Sequence, residues 1–149
     1  MATQIRPLDA ADRPGWDELW AGYLTFYETD LAPEVSDGTF ARLLDPAEPM
    51  GAFVAVGEAG ELVGLCHHVR HRSTWSPTTY CYLEDLFVAP AERGRGTARA
   101  LIAATADAAT ALGCTKLYWQ THQGNATARR LYDDVAAHDG FIVYERDLP

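Results

Sequence analysis

The stretch CYLEDLFVAPAERGRGTARALI, Cys81 to Ile102, decides how the rest of the chain is read. Its first part belongs to TYCYLEDLFVA, Thr79–Ala89, an aromatic-rich apolar run of strand length that stops at Pro90. Its last part is Ala-rich and free of breakers as far as Leu112, with Gly113 where a left-handed helix end favours glycine. The pattern predicts a strand emptying into a helix over Gly94–Leu112, through a turn of arginines and glycines. Glycine amides in RGRGTA can approach a ligand closely. The first N–H groups of a helix lack internal partners and carry the positive end of its dipole. Such a turn suits a pyrophosphate. It is not a known nucleotide loop: GxxxxGK[ST] is absent, and GxGxxG needs a third glycine where Arg99 stands.

Outward from this turn the periodicity changes element by element. TQIRPL reads as a short first strand, and Asp9 or Asp12 can cap a helix over Pro14–Phe26. Trp16, Leu19, Trp20, Tyr23 and Leu24 are at helical spacing there. The acidic, Pro-broken segment that follows holds a short helix at Asp37–Leu44. AFVAVG and ELVGLCHHVRHR are strands joined by a turn at Glu58–Gly60, and STWSPTT is a loop. Beyond Gly113, TKLYWQTH reads as a strand, Asn125 to Ala137 as a helix and FIVYERDL as a closing strand. The expectation is one α/β domain over residues 1–149, a mixed and mostly antiparallel central sheet flanked by helices.

Composition bounds the function. With 149 residues, 48% hydrophobic and 22% charged, the chain reads as a soluble globular domain. No apolar run approaches bilayer length and no signal segment stands at Met1, so the expectation is no membrane and a cytoplasmic setting. Cys66, Cys81 and Cys114 form no CxxC pair, which disfavours disulfides and zinc. The net charge of −9 argues against nucleic acid. The deficit is uneven: five basic against twelve acidic residues to Trp75, then seven against nine. An acidic face for a cation and a less acidic one for an anion follow, although solubility alone accounts for surface charge.

The turn, Arg93-Gly94-Arg95-Gly96-Thr97-Ala98, resembles the [Q/R]xxGx[G/A] signature of the GNAT family of N-acetyltransferases, which directly follows a long strand. NATARRLY, Asn125–Tyr132, is similar to the family's second signature, and IRPLDAAD to its opening strand. The resemblance spans nearly the whole chain and implies the GNAT fold with acetyl-CoA as cosubstrate and no metal. Backbone groups of Leu86, Phe87 and Val88 would then bond the pantetheine arm as a neighbouring strand does. Arg93, Gly94, Arg95, Gly96, Thr97, Ala98 and Arg99 would wrap the pyrophosphate. Asn125 and Ala128 would line the far side of the arm, and Tyr132 would bring its hydroxyl to the thioester sulfur. One departure is clear: DDVAAHD intervenes before Gly140-Phe141, so the last helix is longer or the turn after it wider, as in a bacterial and fungal branch.

Acetyl transfer to an amine needs a neutral amine, a stabilised thioester oxygen and a proton for the thiolate. An aliphatic ammonium titrates near ~10, so a base is required. Glu84 stands just before the cofactor stretch, and YLEDLFV resembles a YLED-FFV stretch of spermidine/spermine acetyltransferases whose Glu contacts substrate and is the proposed base. Strand alternation puts Tyr82, Glu84 and Leu86 on one face, with Leu83, Asp85 and Phe87 on the other. Tyr132 is the matching proton donor, and an amide of Leu86 or Phe87 could hold the oxyanion. By residue type alone, Glu84 could equally be an edge carboxylate and Tyr132 a core aromatic. Cys81 and Cys114 read as buried, unreactive cysteines. His67 and His71 share a strand face that His68 opposes, which spoils a three-ligand metal site; His122 is a secondary candidate.

The segment Tyr27–Glu48 carries Glu28, Asp30, Glu34, Asp37, Asp45 and Glu48 against Arg42. In the family this region covers the acceptor, and Tyr27-Glu28 resembles a substrate-contacting pair of the polyamine enzymes. Trp75 and Tyr82 could add an aromatic wall. The expected acceptor is a small cationic amine, a polyamine or a lysine-like compound. Acylation of a protein lysine or N-terminus, and a silent acyl-CoA-binding module, are the alternatives. A homodimer is possible, and nothing in the sequence decides it.

Overall fold

The computed structural model describes residues 3–149, and its strands and helices follow the order expected from the periodicity as far as the last helix. Strands β1 (Gln4–Pro7), β2 (Met50–Val56), β3 (Leu62–Arg72), β4 (Thr79–Val88) and β5 (Lys116–Tyr118) lie in one sheet in that order. The first three pairings are antiparallel and β4–β5 is parallel. Four helices accompany them: α1 (Arg13–Phe26), α2 (Pro33–Leu44), α3 (Thr97–Ala111) and α4 (Ala126–Val135). The architecture is a single α/β domain with a mixed, mostly antiparallel sheet.

Alternation along the central strands sends successive residues to opposite sides. Val54 and Leu65 join Trp16, Leu19, Trp20, Phe40 and Leu43 beneath α1 and α2, whereas Ala55 and Cys66 join Leu83, Val88, Leu101 and Ile102 beneath α3. Both faces are therefore covered, which is why AFVAV and LVGLC read as continuous apolar runs rather than alternating ones. At the entry to α1, Asp9 accepts a hydrogen bond from the Ala11 amide and Asp12 from that of Asp9, at 2.9 and 2.8 Å. Arg6 clamps Asp12 with two further bonds, which hold that carboxyl below its usual range.

Several boundaries differ from the sequence reading, each for a local reason. Helix α2 starts at Pro33 instead of Asp37, since a proline in the first turn starts a helix as readily as it breaks one. Helix α3 starts at Thr97, not Gly94. Gly94 and Gly96 take φ of 79° and 82°, left-handed angles that keep the turn out of the helix. Strand β5 is only three residues long because its partner diverges after Tyr82. Helix α4 ends at Val135, with Ala136 already extended, so DDVAAHD widens the exit and does not lengthen the helix to Ala137. FIVYERDL forms no strand. Within one copy its backbone pairs with no neighbour, and Phe141 is 92% exposed.

Candidate active site

Two departures from regular pairing build the site. The first is a bulge in β4. His67 stands opposite Asp85 and His68 opposite Leu83, so Glu84 is an extra residue with no partner on β3. Bulges re-aim side chains and recur beside active sites. Because paired residues share a face, the insertion reverses the alternation. Asp85 and Phe87 end on the α1 side with Tyr82, while Leu83, Leu86 and Val88 face α3. The sequence expectation, which grouped Tyr82 with Leu86 and Leu83 with Asp85, is corrected by this single residue. The second departure is the separation of β4 from β5. Their pairing ends at Tyr82–Tyr118, yet β4 continues to Val88, leaving one side of its backbone free.

A cleft of about 670 Å³ opens along that side. Leu86, Phe87 and Val88 form one wall, the Arg93–Arg99 turn one end, and Asn125, Ala128 and Tyr132 of the α4 region the opposite wall. Tyr23, Phe26 and Tyr27 of α1 and its exit border it as well. Phe87 occupies space that only a glycine leaves: a Cβ on Gly22 would stand 2.9 Å from its ring. Asn125 caps α4 through Oδ1, which accepts from the Ala128 amide at 3.4 Å, so the same residue starts the helix and faces the cleft.

The turn is a donor-rich cradle. Among the described residues, the N–H groups of Gly94 through Arg99 reach no backbone acceptor. The Thr97 hydroxyl, in a residue 3% exposed, has no hydrogen-bond partner either. A Cβ built on Gly94 or Gly96 would meet nothing within 4 Å, so these glycines serve the backbone angle and leave space in front of the amides. The arginines are already oriented. Arg93 donates to the Val88 carbonyl at 3.0 Å beside the Phe87 ring, Arg95 faces Glu92 at 3.5 Å, and Arg99 bonds Asp134 at 2.9 Å. Unpaired donors at a helix start fit a pyrophosphate.

Beyond the cleft lies a cluster of carboxylates and hydroxyls. Asp85 accepts a 2.9 Å hydrogen bond from His67, whose other ring nitrogen accepts from Trp16 Nε1 at 3.0 Å. The indole donor fixes the neutral tautomer of His67 with its proton toward Asp85. Glu84 reaches the surface but is flanked by protein. Partial burial, and then the neighbouring Asp85, push its carboxyl above the ordinary range. Tyr23 connects the two regions: it lines the cleft, and burial together with Asp85 drives its hydroxyl far up. Tyr82 stacks on Tyr118 at 4.9 Å and is pushed up to about 12, by burial first and Glu84 next. Burial, and to a lesser extent Tyr27, likewise raises Tyr132, which meets Trp119 edge-on at 5.5 Å.

Residues 14–136 match the family model described as Acetyltransferase (GNAT) family. The chain belongs to the GNAT family. It is accordingly an acetyl-CoA-dependent N-acetyltransferase. One relative is the D-amino-acid N-acetyltransferase HPA3 of Saccharomyces cerevisiae, 33% identical over 96% of this chain and 89% of that protein. Another is the thialysine N-epsilon-acetyltransferase of Bos taurus, 33% identical over 63% of this chain and 50% of that protein. Among solved structures, AAC(6')-Iy in complex with a CoA-linked bisubstrate analogue superposes with a TM-score of 0.85 over the full length of both chains, at 18% identity.

Within this GNAT domain the residues expected from sequence fall into two groups. Leu86, Phe87, Val88, Arg93, Gly94, Gly96, Thr97, Ala98, Arg99, Asn125, Ala128 and Tyr132 all line the cleft, and Arg95 lies in its turn. Tyr27 borders it, while Glu28 follows in an exposed turn at φ 52°. Trp75 is not brought in: it is 87% exposed on a loop, and Tyr82 has Tyr118 as its ring neighbour instead. His122 is exposed and accepts from the Gly124 amide, a turn contact. His71 is bonded to Tyr118 at 2.6 Å, far from buried His67, and no cluster of metal-ligating residues occurs among those described. Cys66 and Cys81 are buried, with thiols pushed up to about 11 chiefly by that burial. Sequence reasoning missed Tyr23, Phe26 and the Trp16–His67–Asp85 chain. The helical spacing of Tyr23 from Trp20 marked it only as core.

Proposed function

We propose that this N-acetyltransferase acts on the primary amine of a small cationic acceptor, a polyamine or a lysine-like compound, by direct transfer. The observation that carries the proposal is the Glu84 bulge, which turns a carboxylate with a raised pKa out of the sheet beside Asp85 and the hydroxyls of Tyr23 and Tyr82. In this reading Glu84, directly or through water, receives the proton that the ammonium must shed. Asp85, held by its hydrogen bond to His67, stands beside Glu84 as a second acceptor for that ammonium. Leu86, Phe87 and Val88 offer their free backbone side to the pantetheine arm, and the Gly94–Arg99 amides with Arg93 hold the pyrophosphate. An amide of Leu86 or Phe87 stabilises the charge on the thioester oxygen. Tyr132 protonates the departing thiolate; its raised pKa keeps that proton available at neutral pH. Acetyl-CoA supplies the acetyl group.

The acidic segment supports a cationic acceptor in part. Asp37 is engaged by Arg13 and Asp45 caps the Ala47 amide, so these two serve structure. Glu28, Asp30 and Glu34 remain exposed, and Glu28 directly follows Tyr27 at the cleft border. The relatives named for D-amino acids and thialysine are consistent with amines of this size. The test compares kcat/KM for spermidine, lysine and a neutral amine at low and raised salt. The cations should win, and their advantage should shrink as salt screens the carboxylates. A preference for neutral or anionic amines would overturn the assignment.

A further inference from the structure

Two carboxylates stand side by side in YLEDLFV, and one of them is the extra residue of the strand. The core fixes β4 on either side of the pair. Cys81 and Leu83 are buried before it, while Leu86 and Val88 pack on the α3 side after it, opposite Cys66 and Gly64. Between these anchors β4 has one residue too many, and the surplus can fall on Glu84 or on Asp85. The two acids are alike in charge and differ by a methylene, so the strand itself does not choose between them.

The choice is made from β3. His67 stands opposite Asp85 and holds it through the 2.9 Å bond from Nδ1–H to Oδ2. Had His67 taken Glu84 instead, Asp85 would be the bulged residue and the shorter side chain would be re-aimed. The histidine is in turn oriented by α1. Trp16 Nε1 lies 3.0 Å from His67 Nε2, and an indole N–H donates and never accepts, so Nε2 is the acceptor and the proton sits on Nδ1. Trp16 is 0% and His67 2% exposed, which leaves neither with solvent as an alternative partner. The Trp20 ring, with its centre 5.1 Å away, packs against the same imidazole.

We infer that Trp16 and His67 are positioning residues for acetyl transfer: by capturing Asp85 they leave Glu84 as the bulged carboxylate that meets the acceptor amine. The inference rests on the reading of Glu84 as the base. It accounts for a donor chain that runs from the α1 core to a strand irregularity, where an apolar ring at position 67 would pack against Trp16 and Trp20 as well.

The native chain gives the first readout. Long-range nitrogen–proton NMR should find His67 as the Nδ1–H tautomer, and the Nε2–H tautomer would overturn the inference. Two substitutions then separate positioning from packing. His67→Phe fills the slot and donates nothing, whereas His67→Asn keeps an N–H near the place of Nδ1. Both leave the Trp16 N–H without its partner, so a loss of stability moves them together. Turnover should split them, measured with acetyl-CoA and whichever of spermidine, lysine and a neutral amine reacts fastest. His67→Phe should lower kcat ~10- to 100-fold, the scale of a misplaced reacting group, and His67→Asn should recover most of that loss. Acetyl-CoA affinity by calorimetry should be unchanged in both. In a Glu84→Gln background, His67→Phe should cost almost nothing further, since it acts through Glu84. Full turnover of His67→Phe, equal losses in the two variants, or an undiminished loss in the Glu84→Gln background would overturn the inference. A Glu84→Gln enzyme with native kcat would remove the base reading itself, and the inference with it.

Discussion

At Glu84, β4 carries one residue more than the strand beside it, and the surplus has a chemical consequence. A carboxylate in regular alternation would have continued the face of Tyr82; as a bulged residue it stands out of register, with Asp85 turned to the other side of the pleat from Leu83. That Glu84 is a candidate was legible from YLEDLFV. Its direction was not, because a bulge depends on the residue count of the neighbouring strand as well as on its own. The Trp16–His67 contact joins residues 51 apart in the chain, so no local pattern announces it. That Tyr132 is a candidate was legible from NATARRLY, and its hydroxyl can be tested alone. Tyr132→Phe keeps the ring against Trp119. It should lower kcat by ~10- to 1,000-fold with little change in acetyl-CoA affinity, as steady-state kinetics and calorimetry would show. Full turnover would return Tyr132 to a packing role.

The strand–turn–helix unit from β4 to α3 was the most legible element, since its glycines and arginines stand in one continuous run. What the run could not reveal is where the helix starts. Absence of a breaker after Gly94 reads as helix, but two left-handed glycines delay the start to Thr97 and leave six consecutive amides unpaired. Placing a side chain in front of them is the corresponding prediction. Gly96→Glu should abolish acetyl-CoA binding by calorimetry through bulk and negative charge, and circular dichroism should show the helices retained. Gly96→Asn, which tolerates the left-handed angle better, separates occlusion from backbone strain and should also weaken binding. Unchanged affinity in both folded variants would contradict the anion site. The closing strand was the least legible element: FIVYERDL has a strand's composition, yet its backbone pairs with no other strand.

At the scale of the whole molecule, the sheet that positions the site also contains a buried, acid-sensitive group. His68 is 7% exposed with Nδ1 unpartnered, and burial, then Arg70 and His67, push it down to about 4. Its pKa is therefore lower folded than unfolded, near ~6.5. The unfolded chain binds the extra proton, so His68's contribution is present above ~6.5 and is lost as pH falls toward about 4, on the order of 3 kcal/mol in all. Urea titrations across this range should show stability falling with acid, and His68→Leu should flatten the fall; an unchanged slope would remove His68 as its source. The order of elements as far as α4 was legible from periodicity, and the Arg93–Ala98 turn from its glycines and arginines. The convergence of α1, the β4 bulge and α4 on one cleft was not, because it depends on where β4 leaves β5. The proposed function casts Glu84 as the base for an amine acetylated across the cleft. Its most direct test is the pH dependence of kcat/KM, measured by thiol release with acetyl-CoA and spermidine, for the native chain and Glu84→Gln. The native profile should fall on its acidic side at a pKa above that of an ordinary glutamate, and the variant should lose that limb and drop ~100- to 10,000-fold. A Glu84→Gln profile that keeps both the limb and the rate would contradict the account.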